Sequence, residues 1–174
     1  MIRDFNLLAT TSRGTEWQAC SELHSLLEEI GDATSEVDRT GVSGLIAAKT
    51  TLDPFQVVGK FRSILAERPY VFRYTLRVIP VEKVVKTDLV EIELAATELG
   101  TRINENETFR ITVEKRFSAT PSQSIIEAAA SNIERKVDLE KPDRILLIEV
   151  VGGLAGVSII KPDDILSVLK EKLL

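Results

Sequence analysis

Cysteine and histidine are almost missing from this 174-residue chain, which has one of each, Cys20 and His24. A single cysteine excludes an internal disulfide, and the two together cannot supply the three or four ligands of a zinc site without carboxylates. No apolar run approaches the roughly 20 residues that a membrane helix needs. The N-terminus MIRDFNLLATT lacks the basic start and long apolar core of a signal peptide, so a cytoplasmic protein is expected. Also missing are short repeats and low-complexity segments. Positive charge is not in excess either, since the formal net charge is −5. That balance argues against simple electrostatic binding to nucleic acid, and DNA is not an expected partner.

The distribution of charge is more informative than its sum. Residues 1–70 hold 7 Lys and Arg against 10 Asp and Glu, residues 71–120 hold 8 against 8, and residues 121–174 hold 7 against 9. The middle of the chain is its least acidic part. Apolar residues at 44% and charged residues at 28% are ordinary values for a folded chain, and the length suits two small domains.

Strand and helix patterns alternate from the start. FNLLATT (5–11) reads as a strand. Thr15 and Gln18 form a capping-box pattern opening a helix with Ala19, Leu23, Leu26, Leu27 and Ile30 on one stripe. Residues 35–49 read as a hairpin about Gly41. Asp53, Pro54 and Gln56 then open a helix to about Glu67, and VFRYTLRVI (71–79) alternates as a strand. The order strand, helix, strand, strand, helix, strand is the ferredoxin-like βαββαβ arrangement, expected over residues 1–80.

Residues 81–87 read as a connector. A second α/β domain is expected over residues 88–174. It has a Thr87-capped helix to about Leu99, a strand at 108–116 and a helix from a Thr120 capping box to about Arg135. Strands at 144–150 and 156–160 follow, turning at Gly152 and Gly153, and Pro162 opens a last helix with Ile165, Leu166 and Leu169 inward. The whole is an α/β (α+β) protein.

No group of residues meets the requirements of catalysis. Cys20 and His24, four apart on one helix, lack an orienting carboxylate. The GGLAG segment (152–156) lacks the Lys-Ser/Thr of a phosphate loop and reads as a hairpin turn. Acidic residues such as Glu91, Glu93, Glu98, Asp163 and Asp164 read as solvated helix faces. No catalytic residue, cofactor or metal is expected.

Strand parity sorts the basic residues instead. In VFRYTLRVI, Arg73 and Arg77 share a face with Thr75, about 13 Å apart, opposite Phe72, Tyr74, Leu76 and Val78. In TFRITVEKR, Arg110, Thr112, Glu114 and Arg116 face outward, and Lys115 stands at the strand end. With Lys83 and Lys86 they make a basic stripe. On composition alone the bland reading, solubilising charges paired with glutamates, is slightly favoured.

The segment FRITVEKRFSATPSQSIIEAAASNI, followed by VDLEKPDRILLIEV and GVSII, resembles the THUMP domain. NLLATTSRGTEWQACSELHSLLEEIGD, SGLI and ERPYVFRYTLRVIPVEKVV resemble the N-terminal ferredoxin-like domain of the tRNA-acetylation adaptor subfamily. The resemblance implies binding of tRNA at its acceptor end and 3′ tail, by a non-enzymatic adaptor that presents tRNA to a separate acetyltransferase making N4-acetylcytidine. By motif position it implies RNA contact at Lys115 and Arg116. Arg73, Arg77, Lys83, Lys86 and Arg110 are added from the face argument, with Arg13 beside Gly14. A ligand-sensing or protein-interaction module is the alternative by fold alone.

Overall fold

The structure, a computed structural model, describes residues 2–173. Among them the elements run β1 Leu7–Thr10, α1 Glu16–Glu29, β2 Glu36–Arg39, β3 Leu45–Lys49, α2 Pro54–Glu67, β4 Arg77–Pro80, β5 Lys83–Lys86 and α3 Leu89–Gly100. There follow β6 Phe109–Arg116, α4 Ser122–Ala130, β7 Arg144–Val151, β8 Leu154–Ile160, β9 Leu166–Ser167 and α5 Val168–Lys172. The chain divides into two compact units, one ending at Val81 and resuming at Asp163, the other spanning Glu82–Pro162.

The first unit is a ferredoxin-like layer of helices on a sheet ordered β2-β3-β1-β4-β9, with every neighbouring pair antiparallel. Its core joins Leu23, Leu26 and Leu27 of α1 and Val57, Val58, Phe61, Ile64 and Leu65 of α2 to Leu7, Ala9, Ile46, Ala48 and Val78 of the sheet. Phe61 and Phe72 meet edge to face with centroids 6.1 Å apart. Burying each such ring contributes roughly 1.5–3 kcal/mol. Asp53 caps α2 as expected, accepting from the N–H groups of Phe55 and Gln56. Thr15 does not cap α1: its hydroxyl donates back to the Ser12 carbonyl. Gly44, at φ +77°, lies where an added Cβ would meet the Thr11 carbonyl oxygen at 2.8 Å, so the β2–β3 turn admits only glycine.

The strand expected over residues 71–79 is shorter. Only Arg77–Pro80 pairs with β1, and a 3-10 turn covers Pro69–Val71. The cause is Glu22 on α1, whose carboxylate accepts the N–H groups of Arg73 (2.7 Å), Tyr74 (3.1 Å) and Thr75 (2.7 Å). Donors that converge on one carboxylate cannot also join a ladder. Phe72, Tyr74 and Val78 still face the core as expected, but the regular alternation fails at Thr75, expected outside, which is buried.

The second unit is a sheet ordered β5-β8-β7-β6 with α3 and α4 on it. The expected connector is strand β5, and the residues from Asp163 onward, expected in the second domain, pair with β4 as β9. Among the described residues no long helix follows Pro162, and Leu169, expected inside, is exposed. Asp88, not Thr87, caps α3. Helix α4 starts after Pro121 with no side-chain cap and ends at Ala130, short of Arg135. Ile92, Ala95 and Ala96 of α3 and Ile125 and Ala129 of α4 close on Leu146, Ile148, Val150, Ala155, Val157 and Ile159. No helix is long and apolar enough to cross a membrane among the described residues.

One buried carboxylate locks the first unit. Burial alone would raise the pKa of Asp32, but hydrogen bonds from the Thr50 hydroxyl (2.6 Å), the Thr51 N–H (2.8 Å) and both donors of Thr34 outweigh it and hold the pKa at about 2, against an ordinary 3.8. A lowered carboxylate pKa stabilises the fold above the unfolded-state value, and this stability is lost as pH falls through the folded one. Asp32→Asn is expected to lower the unfolding free energy by about 2 kcal/mol at pH 7. In urea titrations the gap between variant and parent should close between about pH 4 and pH 2; a gap that stays constant would contradict this account.

Candidate nucleic-acid interface

The basic residues of the first unit occupy loops and a strand end. Arg13 is exposed in the β1–α1 loop. Arg73 is exposed beside the Tyr74 ring, its guanidinium carbon 5.7 Å from the centroid, but the neighbouring backbone donors that would suit an anion already hold Glu22. Arg77 is half-buried and registers with Thr10 and Ser167. The regular spacing expected for Arg73 and Arg77 on one strand face is absent, because Arg73 precedes the strand.

In the second unit the strand register defines one end of the sheet. Lys86 stands opposite Leu154, Leu154 opposite Val151, and Val151 beside Arg116. Strands β5, β6 and β7 therefore run the same way, and their carboxyl ends share that edge. Lys86 and Arg116 lie at one level across three strand spacings, roughly 14 Å. The Thr87 N–H donates to the Gly153 carbonyl at 2.9 Å, and the Gly152 N–H to the Arg116 carbonyl at 2.8 Å. The ends of β5 and β6 are thus both tied to the β7–β8 turn, where Gly152 adopts φ +59°.

Both helix N-termini follow from this edge, since α3 begins just after β5 and α4 just after β6. They differ in chemistry. At α3 the free amides are taken by the Asp88 carboxylate, and the Lys86 N–H is held by Glu91 at 2.8 Å. At α4 no side chain caps the first turn and it carries no acidic residue. A helix start of this kind offers N–H groups and a partial positive charge to an anion. Lys115 is exposed at the mouth of the connecting loop, its ammonium donating to the Thr120 carbonyl at 2.8 Å, which leaves two further donors.

The other cations expected at the interface are committed elsewhere. Lys83 ion-pairs with Glu98. Arg110 donates to the Leu139 carbonyl at 3.0 Å, bracing the 137–143 loop. Arg116 points back onto the sheet, its guanidinium 2.7 Å from Glu149, which is 1% exposed on β7. Arg116 is thus the countercharge of a buried carboxylate, which occupies the guanidinium expected to meet RNA, whereas Lys115 keeps its ammonium exposed. Cys20 is buried, and burial, with Asp38 nearby, pushes its thiol up to about 11, so it carries no nucleophilic chemistry near neutral pH. Among the described residues no three His, Cys, Asp and Glu side chains gather to hold a metal ion.

Sequence reasoning missed Phe117. Alternation along β6 sends residue 117 to the side of Phe109, Ile111 and Val113, yet its φ of +54° ends the strand and leaves the ring 78% exposed. A left-handed backbone costs a residue with a Cβ about 1–2 kcal/mol.

No family model matches this chain, and no curated protein matches it. Solved structures do. PH1313 from Pyrococcus horikoshii superposes with a TM-score of 0.68 at 18% identity over 91% of this chain and 55% of its own. A predicted N6-adenine-specific DNA methylase from Listeria monocytogenes gives 0.56 at 15% identity over 89% of this chain and 40% of its own. A 4-thiouridine synthetase, solved with RNA and bound ATP, gives 0.55 at 15% identity over 91% and 42%. The chain spans about half or less of the length of these neighbours. The shared fold is a pair of α/β units, a ferredoxin-like one and a second with its helices on a four-stranded sheet. The expectation of a protein with no enzymatic role is overturned, because the same fold forms part of chains described as a methylase and a synthetase.

Removing one partner of a buried ion pair costs roughly 3–5 kcal/mol, whereas an exposed substitution costs within about 0.5. Arg116→Ala should therefore lower the denaturation midpoint sharply while Lys115→Ala leaves it unchanged. Equal midpoints for the two variants would show that Arg116 has no structural task.

Proposed function

We propose that this chain is the RNA-engaging part of a tRNA-modifying enzyme assembly, gripping tRNA at the carboxyl edge of the second sheet. One observation carries the reading: the uncapped, acid-free start of α4 stands beside Lys115, at the edge that also bears Lys86. Phosphate is an anion that such a helix start and two cations can hold. The ligand site of open α/β sheets is also commonly found outside the carboxyl ends of the strands. The neighbour solved with RNA favours nucleic acid over a small metabolite, and folded RNA is recognised largely by shape and phosphate contact.

The net charge of −5 limits how many phosphates the chain neutralises, so affinity rests on a few placed contacts. Arg13, Arg73 and Arg77 supply the contacts of the first unit in this reading. The acceptor end and 3′ tail of tRNA are the segment engaged, as the sequence resemblance implies. The same resemblance names acetyl transfer to cytidine as the reaction served, with a tRNA acetyltransferase as the partner, acting in the cytoplasm.

Equilibrium binding of unmodified tRNA, intact and without its 3′ tail, across a salt series tests the proposal. Intact tRNA should bind more tightly, with affinity falling as salt rises. Lys115→Ala should weaken binding and flatten the slope of log K against log salt by about one. An unchanged slope would remove Lys115 from the interface, and no binding at low salt would remove the RNA function.

A further inference from the structure

The chain has six phenylalanines, and four of them, Phe5, Phe61, Phe72 and Phe109, are at most 2% exposed. Phe117 is the opposite case at 78%. It gains nothing from the core, and its left-handed backbone is one that glycine or asparagine would adopt more readily. Its surroundings are nevertheless ordered. The Arg116 carbonyl before it is tied to Gly152, the Thr120 N–H after it donates to the Ser118 hydroxyl at 3.3 Å, and the Lys115 ammonium bridges the loop to Thr120. The ring is thus carried on a braced five-residue loop, between an exposed cation and the open start of α4.

An aromatic face placed next to phosphate-binding groups matches an unpaired nucleotide, whose base and phosphate must be met together. A duplex would not use it, since paired bases keep their faces stacked inside the helix. We propose that Phe117 is a stacking platform for one unpaired base of the bound RNA, with Lys115 and the first turn of α4 holding the adjacent phosphate. Selectivity at this point is for single-stranded character over sequence, because every base has a π-face. The inference rests on the RNA reading of the same edge and names the state of nucleic acid it accepts.

The test uses the full chain and an RNA minihelix with a single-stranded 3′ tail. The fluorescent base 2-aminopurine, quenched by stacking, is placed at one tail position at a time. The parent protein is expected to quench one position. Phe117→Ala and Phe117→Gly should both lose that quenching and bind about tenfold more weakly. Phe117→Trp should keep it, and Phe117→Leu, similar in bulk but without a ring, should not. The glycine variant relieves the left-handed backbone, so loss in both small variants separates the ring from the loop geometry, and thermal midpoints no lower than the parent's show that the fold is intact. Quenching that persists in the alanine or leucine variant overturns the stacking assignment while RNA binding stands. Failure of the parent to bind the minihelix at low salt overturns the RNA reading itself and this inference with it.

Discussion

A carboxylate that is 1% exposed in the middle of a sheet must be neutralised, and Glu149 fixes much of the second unit through that need. Its countercharge comes from Arg116, two residues along the neighbouring strand from the residue registered with Glu149. Because Arg116 turns onto the sheet, Lys115 is left for the opposite side, and the chain must leave the strand immediately afterward. The Gly152 N–H then holds the Arg116 carbonyl. The position of the loop carrying Phe117, and so of the start of α4, follows from an ion pair within the second sheet. Burying the pair is not itself a gain in stability, since desolvation offsets most of the attraction. What it supplies is a fixed strand end.

Anion-binding capacity is distributed by the same logic of prior occupation. Three clusters of backbone donors lie near the expected basic residues: the turn at Arg73–Thr75, the start of α3 and the start of α4. The protein's own carboxylates, Glu22 and Asp88, fill the first two. A carboxylate covalently part of the chain outcompetes a mobile phosphate because no association entropy is lost. The start of α4 has no such internal occupant, which is why a modestly acidic chain can still present one favourable place for a phosphate.

Much of the architecture was legible in the sequence because it is written in local patterns. The hairpin about Gly41, the Asp53 cap of α2, the alternating strand β6 and the glycine turn between β7 and β8 each depend on residues a few positions apart. The failures have a common cause in distance along the chain. Residues 71–76 alternate like a strand, but Glu22, some fifty positions earlier, takes their N–H groups. Residues 166–167 became a strand because β4 had a free edge, which no local pattern announces. Residues 83–86 were too short and too charged to read as the edge strand that β8 makes of them. The positions of Lys115 and Arg116 at a strand end were readable, but their opposite directions were not, since Glu149 lies 33 residues beyond Arg116.

The pairing of Leu166 and Ser167 with Val78 and Arg77 makes the first unit discontinuous, with the whole second unit threaded between β4 and β9. On a ribosome this imposes an order of events. The second unit is contiguous and can complete its sheet as soon as β8 has emerged. The earlier-made sheet must wait, exposing the outer edge of β4 until Leu166 and Ser167 are synthesised. An unpaired strand edge is a template for the wrong partner. The interval is short, but it is the moment at which this chain is most exposed to misassembly, and a truncation removing only residues beyond 165 would make that moment permanent.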